Sequence, residues 1–580
     1  MKRVSYPVIA FLLLGFLMPS CAINPITGKK EFSLMSHKRE LALGQQSDPG
    51  IIASFGLYED AALQKFLEEK GTAMAKISHR PDLDFKFRIL DSPVVNAFAV
   101  PGGYVYFTRG ILAHFNNEAE FAGVLGHEIG HITARHSAKQ FTKSTIAQIG
   151  LIAGLVLVPE FGQYANQASQ GLQLLFLKFG RDHESQSDQL GVEYSTKVGY
   201  DAHHMANFFN TLSRMRDESG SERIPTFMST HPDPADRYQK VGEMTAEWQG
   251  KSPGKSFKVN RESYLQMLNG LVYGEDPRQG YVENGRFYHP ELKFQYRVPN
   301  QWKTVNSPQQ VQMAPEDGKA MMIFTLGQGK TLREVAEKFV SENKLTLVES
   351  KNLQVNGMRA MALISDQYPQ GAQQQQTATA SSQTSVAQSP KSSKPSSNSG
   401  SSTSQSPKGP SKVGGVGSSG SSSGKTPKGD SKTSKTNSSN QGQSQGGTQV
   451  PNKGQSQTNN NNPAPNPTAG TPSLRIKTYL IEYGGLIYLF HGMAKYVDYS
   501  RYEGVFTQTM NSFNSLSDPA KINVKPDRIY VKSVKQTGSL LTALKSYQMP
   551  QDKHKELALI NGLKLEDQVK KGSLIKILGE

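Results

Sequence analysis

The side chains best suited to chemistry in this chain of 580 residues stand together at His127, Glu128 and His131. The two histidines are four residues apart, so on a helix they project from one face and can share a metal ion. Glu128 stands beside them, where it can take a proton from a water that the metal activates. The alternative interpretation is a buried helix whose two histidines are satisfied by hydrogen bonds.

A helix must carry these residues for the spacing to work, and the surrounding sequence predicts one. Asn117, with Glu120 three residues later, resembles a capping box that uses Asn in place of Ser or Thr, and apolar residues follow at helical spacing. Gly126 and Gly130 are four apart within it. Because each glycine inside a helix costs about 1 kcal/mol, the pair predicts that another backbone approaches this face closely.

A catalytic zinc requires a third protein ligand and one open position for water. His136 is near but does not fit a metzincin, which needs Gly and His where this chain has Ala134 and Ser137. Glu184 and Asp188 fit better, since they are four apart on a predicted helix: Glu184 completes a His/His/Glu set, and Asp188 can accept a hydrogen bond from a ligand histidine. Alone, such a carboxylate pair is usually a solvated helix face.

Several motifs, in order and well spaced over residues 24–245, resemble the gluzincin peptidases of the CAAX prenyl protease, HtpX, Oma and BepA type. The segments that carry the resemblance are Asn96 to Gly103, Tyr104 to Tyr106, Asn117 to Glu120, His127 to His136, and Arg181 to Gly191. Two small residues depart from the family pattern without affecting the metal, Gly180 and Ser187.

The resemblance implies a mostly helical zinc endopeptidase domain with one Zn²⁺ per chain. By the same resemblance the metal ligands are His127, His131 and Glu184, the general base is Glu128, and Asp188 supports a ligand.

His231 lies in a Ser-Thr-His-Pro segment that is followed by Arg237 and is similar to a segment of the same family. In the BepA branch a histidine at this place can cap the zinc and hold the enzyme latent, so the resemblance makes His231 a candidate fourth ligand. The alternative is that the prolines at 232 and 234 mark a turn before the last helix and that His231 is structural.

A short extended segment precedes the metal-binding helix. In zincins an edge strand beside the metal pairs with substrate backbone, and Tyr104, Val105 and Tyr106 are candidates for that strand, with Asn96 a candidate substrate contact. An ordinary structural hairpin fits the sequence equally well.

The first 20 residues have the pattern of a lipoprotein signal peptide, with a basic start, an apolar run of about 11 residues and then Cys21. Cys21 is the only cysteine, and lipid attachment accounts for it. By resemblance to lipoprotein sorting rules, the following Ala22 favours the outer membrane of a diderm bacterium, with the chain in the periplasm. The alternative is a plain signal peptide cleaved elsewhere.

The rest of the chain contains fewer chemical motifs. Residues 371–472 are rich in Gln, Ser, Gly, Asn and Lys with almost no apolar residues, which predicts disorder. Strand-like runs on both sides predict one α+β domain, 262–370 plus 473–517, since closing such a loop costs only about 4 kcal/mol. This domain resembles the PsbP/Mog type, for which a binding or docking role is the simplest interpretation.

The C-terminal segment 525–580 resembles a LysM module, on the strength of the turn Asn561-Gly-Leu563 and the closing run Gly572 to Ile577. LysM modules bind peptidoglycan sugars, so the resemblance implies a peptidoglycan partner. The alternative is a small βααβ spacer that packs on its neighbours.

The formal net charge of +16 comes mostly from the insertion and the C-terminal segment. This distribution suits anionic envelope surfaces. Nucleic acid is not an expected partner, because no aromatic residues interleave with the lysines of the insertion.

Together these observations predict a multidomain chain. Its parts are a mainly α zincin-type peptidase domain with a small β-sheet (21–250), an α+β domain interrupted by a long disordered insertion, and a small LysM-like βααβ module.

The predicted function is a lipid-anchored periplasmic zinc metalloendopeptidase that hydrolyses misfolded or misassembled envelope proteins. Two alternatives remain: a latent or non-proteolytic chaperone or scaffold bound to the cell wall through the C-terminal module, and an enzyme that cuts cell-wall peptides.

Overall fold

The structure is a computed structural model that describes residues 21–142, 179–219, 227–228, 231, 235–369 and 471–580. Helices and strands are numbered in chain order over these residues. The predicted signal peptide and nearly all of the predicted insertion lie outside the described residues. No helix in the described ranges combines the length and the hydropathy that crossing a membrane requires.

The first part of the described chain is mainly helical, as the sequence predicts. The side chains of Ser36, Asp60 and Asn117 cap the helices that follow them, each accepting hydrogen bonds from backbone N–H groups two or three residues on. The helices are α1 (His37–Phe55), α2 (Ala61–Ala75), α3 (Arg109–His114), α4 (Glu118–Thr133), α5 (Arg181–Lys197), α6 (His203–Ser219) and α7 (Ala235–Gly250). A two-stranded ribbon, β1 (Cys21–Ile23) with β2 (Lys30–Phe32), precedes them.

A small three-stranded sheet packs beside α4. Its strands are β3 (Lys86–Leu90), β4 (Ala97–Val100) and β5 (Tyr104–Thr108), with β5 in the middle, parallel to β3 and antiparallel to β4. The prediction that Tyr104, Val105 and Tyr106 form an edge strand for substrate is therefore wrong, because neighbouring strands pair with both edges of β5. Among the described strands, β4 is paired on one side only.

The predicted close approach to α4 is made by α5. A Cβ atom built on Gly126 would lie 3.0 Å from the backbone of Gly191, and one built on Gly130 would lie 3.1 Å from the Leu190 side chain. Because backbone cannot move aside as a side chain can, glycine at positions 126 and 191 lets the two helix axes come close. This packing brings the metal-binding motif on α4 against the carboxylates on α5.

A separate sheet-rich region follows, joined to the helices by α8 (Arg261–Met267). Its strands are β6 (Tyr281–Glu283), β7 (Arg286–His289), β8 (Phe294–Arg297), β9 (Lys303–Asn306), β10 (Gln310–Ala314), β11 (Ala320–Leu326), β12 (Thr346–Val355), β13 (Met358–Gln367), β14 (Leu474–Tyr483), β15 (Leu486–Lys495) and β16 (Asn514–Ser515). Its helices are α9 (Leu332–Glu342), α10 (Tyr499–Asn511) and α11 (Pro519–Ile522). One sheet has the order β12-β13-β14-β15-β11-β10-β9 and the other the order β16-β8-β7-β6.

The seven-stranded sheet joins strands from both sides of residues 370–470. β13 and β14 are antiparallel neighbours from Ala360 opposite Ile481 to Gln367 opposite Leu474. The backbone N–H of Ser473 also donates to the carbonyl of Gln367 at 2.8 Å. The chain therefore leaves and re-enters this sheet at adjacent points.

The C-terminal segment has two helices between two antiparallel strands. Its elements are β17 (Arg528–Ser533), β18 (Gly538–Ser539), α12 (Leu540–Ser546), α13 (His554–Ile560), β19 (Gln568–Val569) and β20 (Leu574–Gly579). Its apolar residues belong to the same core cluster as those of the helical region. The ammonium of Lys576, fully buried, donates to the carbonyls of Ala113 and Phe115 at 2.8 and 2.9 Å. The segment is therefore built into the molecule just ahead of α4.

Candidate metal centre

Four buried side chains from three parts of the chain converge where α4 meets α5. His127 and His131 come from α4, Glu184 from the first turn of α5, and His231 from a separate segment. Their ligand atoms all lie within 4.8 Å of one another. The two Nε2 atoms of His127 and His131 are 3.0 Å apart, and oxygens of Glu184 lie 3.6 and 3.4 Å from them respectively.

The orientation of His127 is set by an acidic group on its far side. Its Nδ1 lies 2.9 Å from an oxygen of Asp188, one turn after Glu184 on α5. Arg237 holds that carboxylate in turn, at 2.7 Å from Nε and 2.5 Å from Nη2. Burial alone would raise the pKa of Asp188, but the Arg237 guanidinium and His127 hold it at about 2. A permanently ionised Asp188 accepts the Nδ1–H of His127, which leaves Nε2 as a lone pair facing the cluster.

His131 is oriented in a similar way, through a second histidine. Its Nδ1 is 3.0 Å from Nδ1 of the fully buried His136, whose Nε2 is 3.0 Å from the side-chain oxygen of Gln186. With His136 donating from Nε2 to Gln186, its Nδ1 accepts the proton of His131 Nδ1. The Nε2 of His131 is then also a lone pair.

This arrangement fits a bound cation. Two imidazole lone pairs and a carboxylate converge with 3.0 to 3.6 Å between their atoms, and they repel one another unless a positive charge lies between them. Burial would raise the pKa of Glu184, yet His231 and Arg237 lower it, which keeps the carboxylate ionised. Two imidazole nitrogens with one carboxylate oxygen are the ligand set of many catalytic zinc sites.

Glu128 lies next to this group and is fully buried. Neither of its carboxylate oxygens makes a hydrogen bond within the described part of the chain, and Nε2 of His231 is 3.7 Å from one of them. Burial raises the pKa of Glu128, an effect that His231 and His127 partly offset. A buried carboxylate with a raised pKa and no partner is suited to accept a proton from a reacting molecule.

The structure places His231 inside the ligand group. Its Nδ1 is 3.1 Å from one oxygen of Glu184 and 3.3 Å from Nε2 of His127. The ring of Phe227 stacks on it, with centroids 4.5 Å apart. Burial would lower the pKa of His231, but the nearby Glu184 and Glu128 raise it. With His231 included, the group offers four protein donors, the number typical of a closed site.

Two residues at the centre, Arg237 and Phe179, have contacts that the sequence did not predict. Arg237 follows the Thr-His-Pro segment, but only the fold shows that it is buried against Asp188 and stacks over Phe209 at 4.0 Å. Phe179 stacks on His131, with ring centroids 4.2 Å apart, and belongs to no sequence motif. These contacts join residues far apart in the chain, and local spacing does not reveal them.

The remaining predicted site residues lie outside the ligand group. Asn96 is buried just before β4; its backbone N–H donates to Thr108 Oγ1 at 3.2 Å, and its side-chain oxygen has no hydrogen bond from any described residue. Cys21 begins β1, and its side chain is outside the described set.

The helical region is similar in sequence to a known protein family. Residues 61–245 match the model of peptidase family M48. Over 175 residues the chain is 30% identical to the mitochondrial metalloendopeptidase OMA1 of Arabidopsis thaliana, covering 30% of this chain and 34% of that protein. Over 249 residues it is 25% identical to the beta-barrel assembly-enhancing protease of Escherichia coli, covering 41% of this chain and 50% of that protein.

The chain thus spans half or less of the length of these relatives. Among solved structures, cyanobacterial PsbP from Synechocystis sp. PCC 6803 aligns with 41% of this chain at 10% identity. Its TM-score is 0.20, which supports no conclusion, and the PsbP/Mog resemblance of the sheet-rich region stays a prediction.

Proposed function

We propose that this chain, through the peptidase family M48 domain at residues 61–245, is a zinc-dependent metalloendopeptidase. One observation carries the proposal: the buried group of His127, His131 and Glu184 lies beside a buried carboxylate, Glu128, that has no hydrogen bond within the described residues. Those three residues would hold the zinc. Asp188 would fix the orientation of His127.

When bound, zinc supplies a Lewis acid that polarises the scissile carbonyl and lowers the pKa of a water. Glu128 takes the proton of the attacking water and passes it to the leaving amine. Its raised pKa helps the first of these roles, because a carboxylic acid that holds its proton more tightly is a stronger base when ionised. Exclusion of bulk water from this buried site strengthens each of these interactions.

We further propose that the substrates are misfolded or misassembled envelope proteins. The support is the sequence similarity to proteases named for beta-barrel assembly. The predicted signal peptide with Cys21 supports a lipid-anchored chain in the periplasm, at the outer membrane. The C-terminal segment is the proposed contact with peptidoglycan. Nucleic acid is not among the proposed partners.

The position of His231 favours a second, latent state of the enzyme. His231 adds a fourth donor to the three proposed ligands and lies next to the proposed base. Because a catalytic zinc needs one open position, a bound His231 would hold the enzyme latent until its segment moves.

The experiment measures casein cleavage and zinc content of the purified 22–580 chain beside two variants. Glu128→Gln should keep one zinc and lose at least about 100-fold in rate, since general-base catalysis is worth 100-fold or more. His231→Ala should gain activity, because it opens the coordination position. His203→Ala, a change at a half-exposed histidine on α6, is the control and should match the parent chain.

A chain that binds one zinc but cleaves nothing, even as His231→Ala, would contradict the peptidase proposal. That result would favour the alternative of a chaperone or scaffold at the cell wall, which suppression of aggregation of an unfolded protein would measure.

A further inference from the structure

A large cavity lies between the helical region and the C-terminal segment, and none of its lining residues belongs to the ligand group of the metal centre. Its volume is about 1190 Å³, which is larger than the roughly 300–1,000 Å³ of typical small-molecule pockets. One wall includes Val94 and Val95, ahead of β4, and Met215 near the end of α6. The other wall includes Leu559 on α13 and Leu565 just after it. A cavity of this size suits a segment of chain better than a metabolite.

The lining of the cavity combines apolar and charged side chains. Val94 is 40% exposed, and Met215, Leu559 and Leu565 are half-buried, so each of these side chains leaves part of its apolar surface exposed. The C-terminal wall adds charges of both signs, Asp552, Lys555, Glu556, Lys564 and Glu566. Mixed charges do not select a polyanion, whether nucleic acid or lipid phosphate. Apolar surface with mixed charges suits an unfolded polypeptide.

The cavity is adjacent to the metal centre through a single residue. The carbonyl of Val95, in the cavity wall, accepts the backbone N–H of Phe227 at 3.2 Å, and the Phe227 ring stacks on His231. Two residues after Val95, β4 begins with Ala97, and among the described strands β4 has a neighbour on one side only. A chain paired along this edge would continue into the cavity.

From this geometry we propose that the cavity binds an extended, apolar segment of the polypeptide substrate, outside the residues that are hydrolysed. The C-terminal segment forms one wall and so takes part in choosing substrates. This inference rests on the proposed peptidase function. Substrate binding would also relieve latency. A chain that pairs with the Val95 carbonyl competes with the hydrogen bond that holds Phe227 next to His231.

The test measures binding rather than cleavage, so that it does not depend on activity. In the full chain carrying Glu128→Gln, fluorescence anisotropy gives the Kd for fluorescein-labelled β-casein. Leu559→Glu should raise that Kd about tenfold, since removing a central apolar contact costs about 1.4 kcal/mol or more. Leu347→Glu, a change at a 48% exposed leucine on β12, is the matched control and should change Kd less than twofold.

Val94→Glu places a charge in the opposite wall and should weaken binding similarly; it takes the place of Leu559→Glu if thermal melting shows that variant unfolded. Unchanged Kd in the folded cavity variant would overturn the proposal. Displacement of casein by soluble peptidoglycan fragments but not by an apolar peptide would also overturn it, in favour of a glycan site. Casein cleavage by the unmodified chain tests the peptidase function separately, so either proposal can fail alone.

Discussion

At the residue scale, the centre depends on which nitrogen of each histidine carries a proton. Asp188 orients His127 directly, whereas His131 is oriented through His136 and Gln186. Both chains of hydrogen bonds leave a lone pair on Nε2. Partners behind a metal ligand commonly change metal affinity 10- to 100-fold when removed.

We therefore expect His136→Phe to weaken zinc binding by about 10- to 100-fold, because Phe fills the space but accepts no proton from His131. Competition with a chromophoric chelator measures the affinity. His203→Phe, at a half-exposed position on α6, should leave it unchanged. Equal affinities in the two variants would show that His136 plays no part in orienting His131.

A second residue-scale prediction concerns pH. His114, the last residue of α3, is buried. Burial, and to a smaller extent Lys576, lower its pKa to about 4, while Gly110 and Glu556 partly oppose the shift. In the unfolded chain its pKa is near 6.5, so between pH 6.5 and 4 the unfolded state binds more protons. The contribution of His114 to the free energy of unfolding is fully present above pH 6.5. It falls by about 1.4 kcal/mol per pH unit as the pH drops through this window.

His114→Gln should remove this part of the pH dependence, because Gln does not titrate. Urea unfolding at pH 5 and pH 7 measures it. His289 and His491 also have pKa values lowered by burial, so the parent chain and the variant must be compared at each pH. An unchanged difference between pH 5 and pH 7 would show that His114 does not contribute.

At the element scale, the packing of α4 on α5 positions the ligands. Gly126→Ala gains about 1 kcal/mol in helix propensity but places a Cβ atom 3.0 Å from the Gly191 backbone. Overpacking of this kind costs about 1–3 kcal/mol, so we expect net destabilisation and reduced zinc affinity. Thermal unfolding and zinc competition measure both effects.

Gly242→Ala is the matched control, since Gly242 lies within α7 and a Cβ atom there meets nothing within 4 Å. It should stabilise the chain by about 0.5–1 kcal/mol. If Gly126→Ala behaved in the same way, close packing would not be what positions the metal-binding helix.

At the scale of the whole molecule, two sets of long-range contacts hold separate parts of the chain together. Lys576 caps the carbonyls of Ala113 and Phe115 just ahead of α4, and Arg261 bridges the carbonyls of Asn116 and Leu574. The pairing of β13 with β14 closes the sheet across residues 370–470. The first set of contacts connects the C-terminal segment to the metal-binding helix. The second makes the sheet independent of residues 370–470, which lie between β13 and β14 in the chain.

Replacement of residues 371–469 by a short Gly-Ser turn should therefore leave the fold, the zinc content and casein cleavage intact. Stability should rise by about 2–3 kcal/mol, because a loop shortened twentyfold costs less entropy to close. Chemical denaturation measures it, with a scrambled insertion of equal length and composition as the control, expected to match the parent chain. A chain that no longer folds would show that the insertion contributes structure.

Local features of the structure were predictable from the sequence alone. Helical spacing puts His127 and His131 on one face, Asn117 caps the helix that carries them, and the pair Gly126 and Gly130 predicts a close neighbour. Each of these depends on residues within one or two helical turns, so the backbone geometry of a helix is enough to predict them.

Features that depend on contacts between distant segments became visible with the folded chain. The tertiary structure placed His231 against Glu184 and Arg237 against Asp188, made β5 a central strand where the sequence allowed an edge, and buried Lys576 beside the metal-binding helix. Strand order and burial depend on which distant segments pack together. A local pattern of apolar and polar residues is compatible with several such arrangements, and packing of the whole chain selects one.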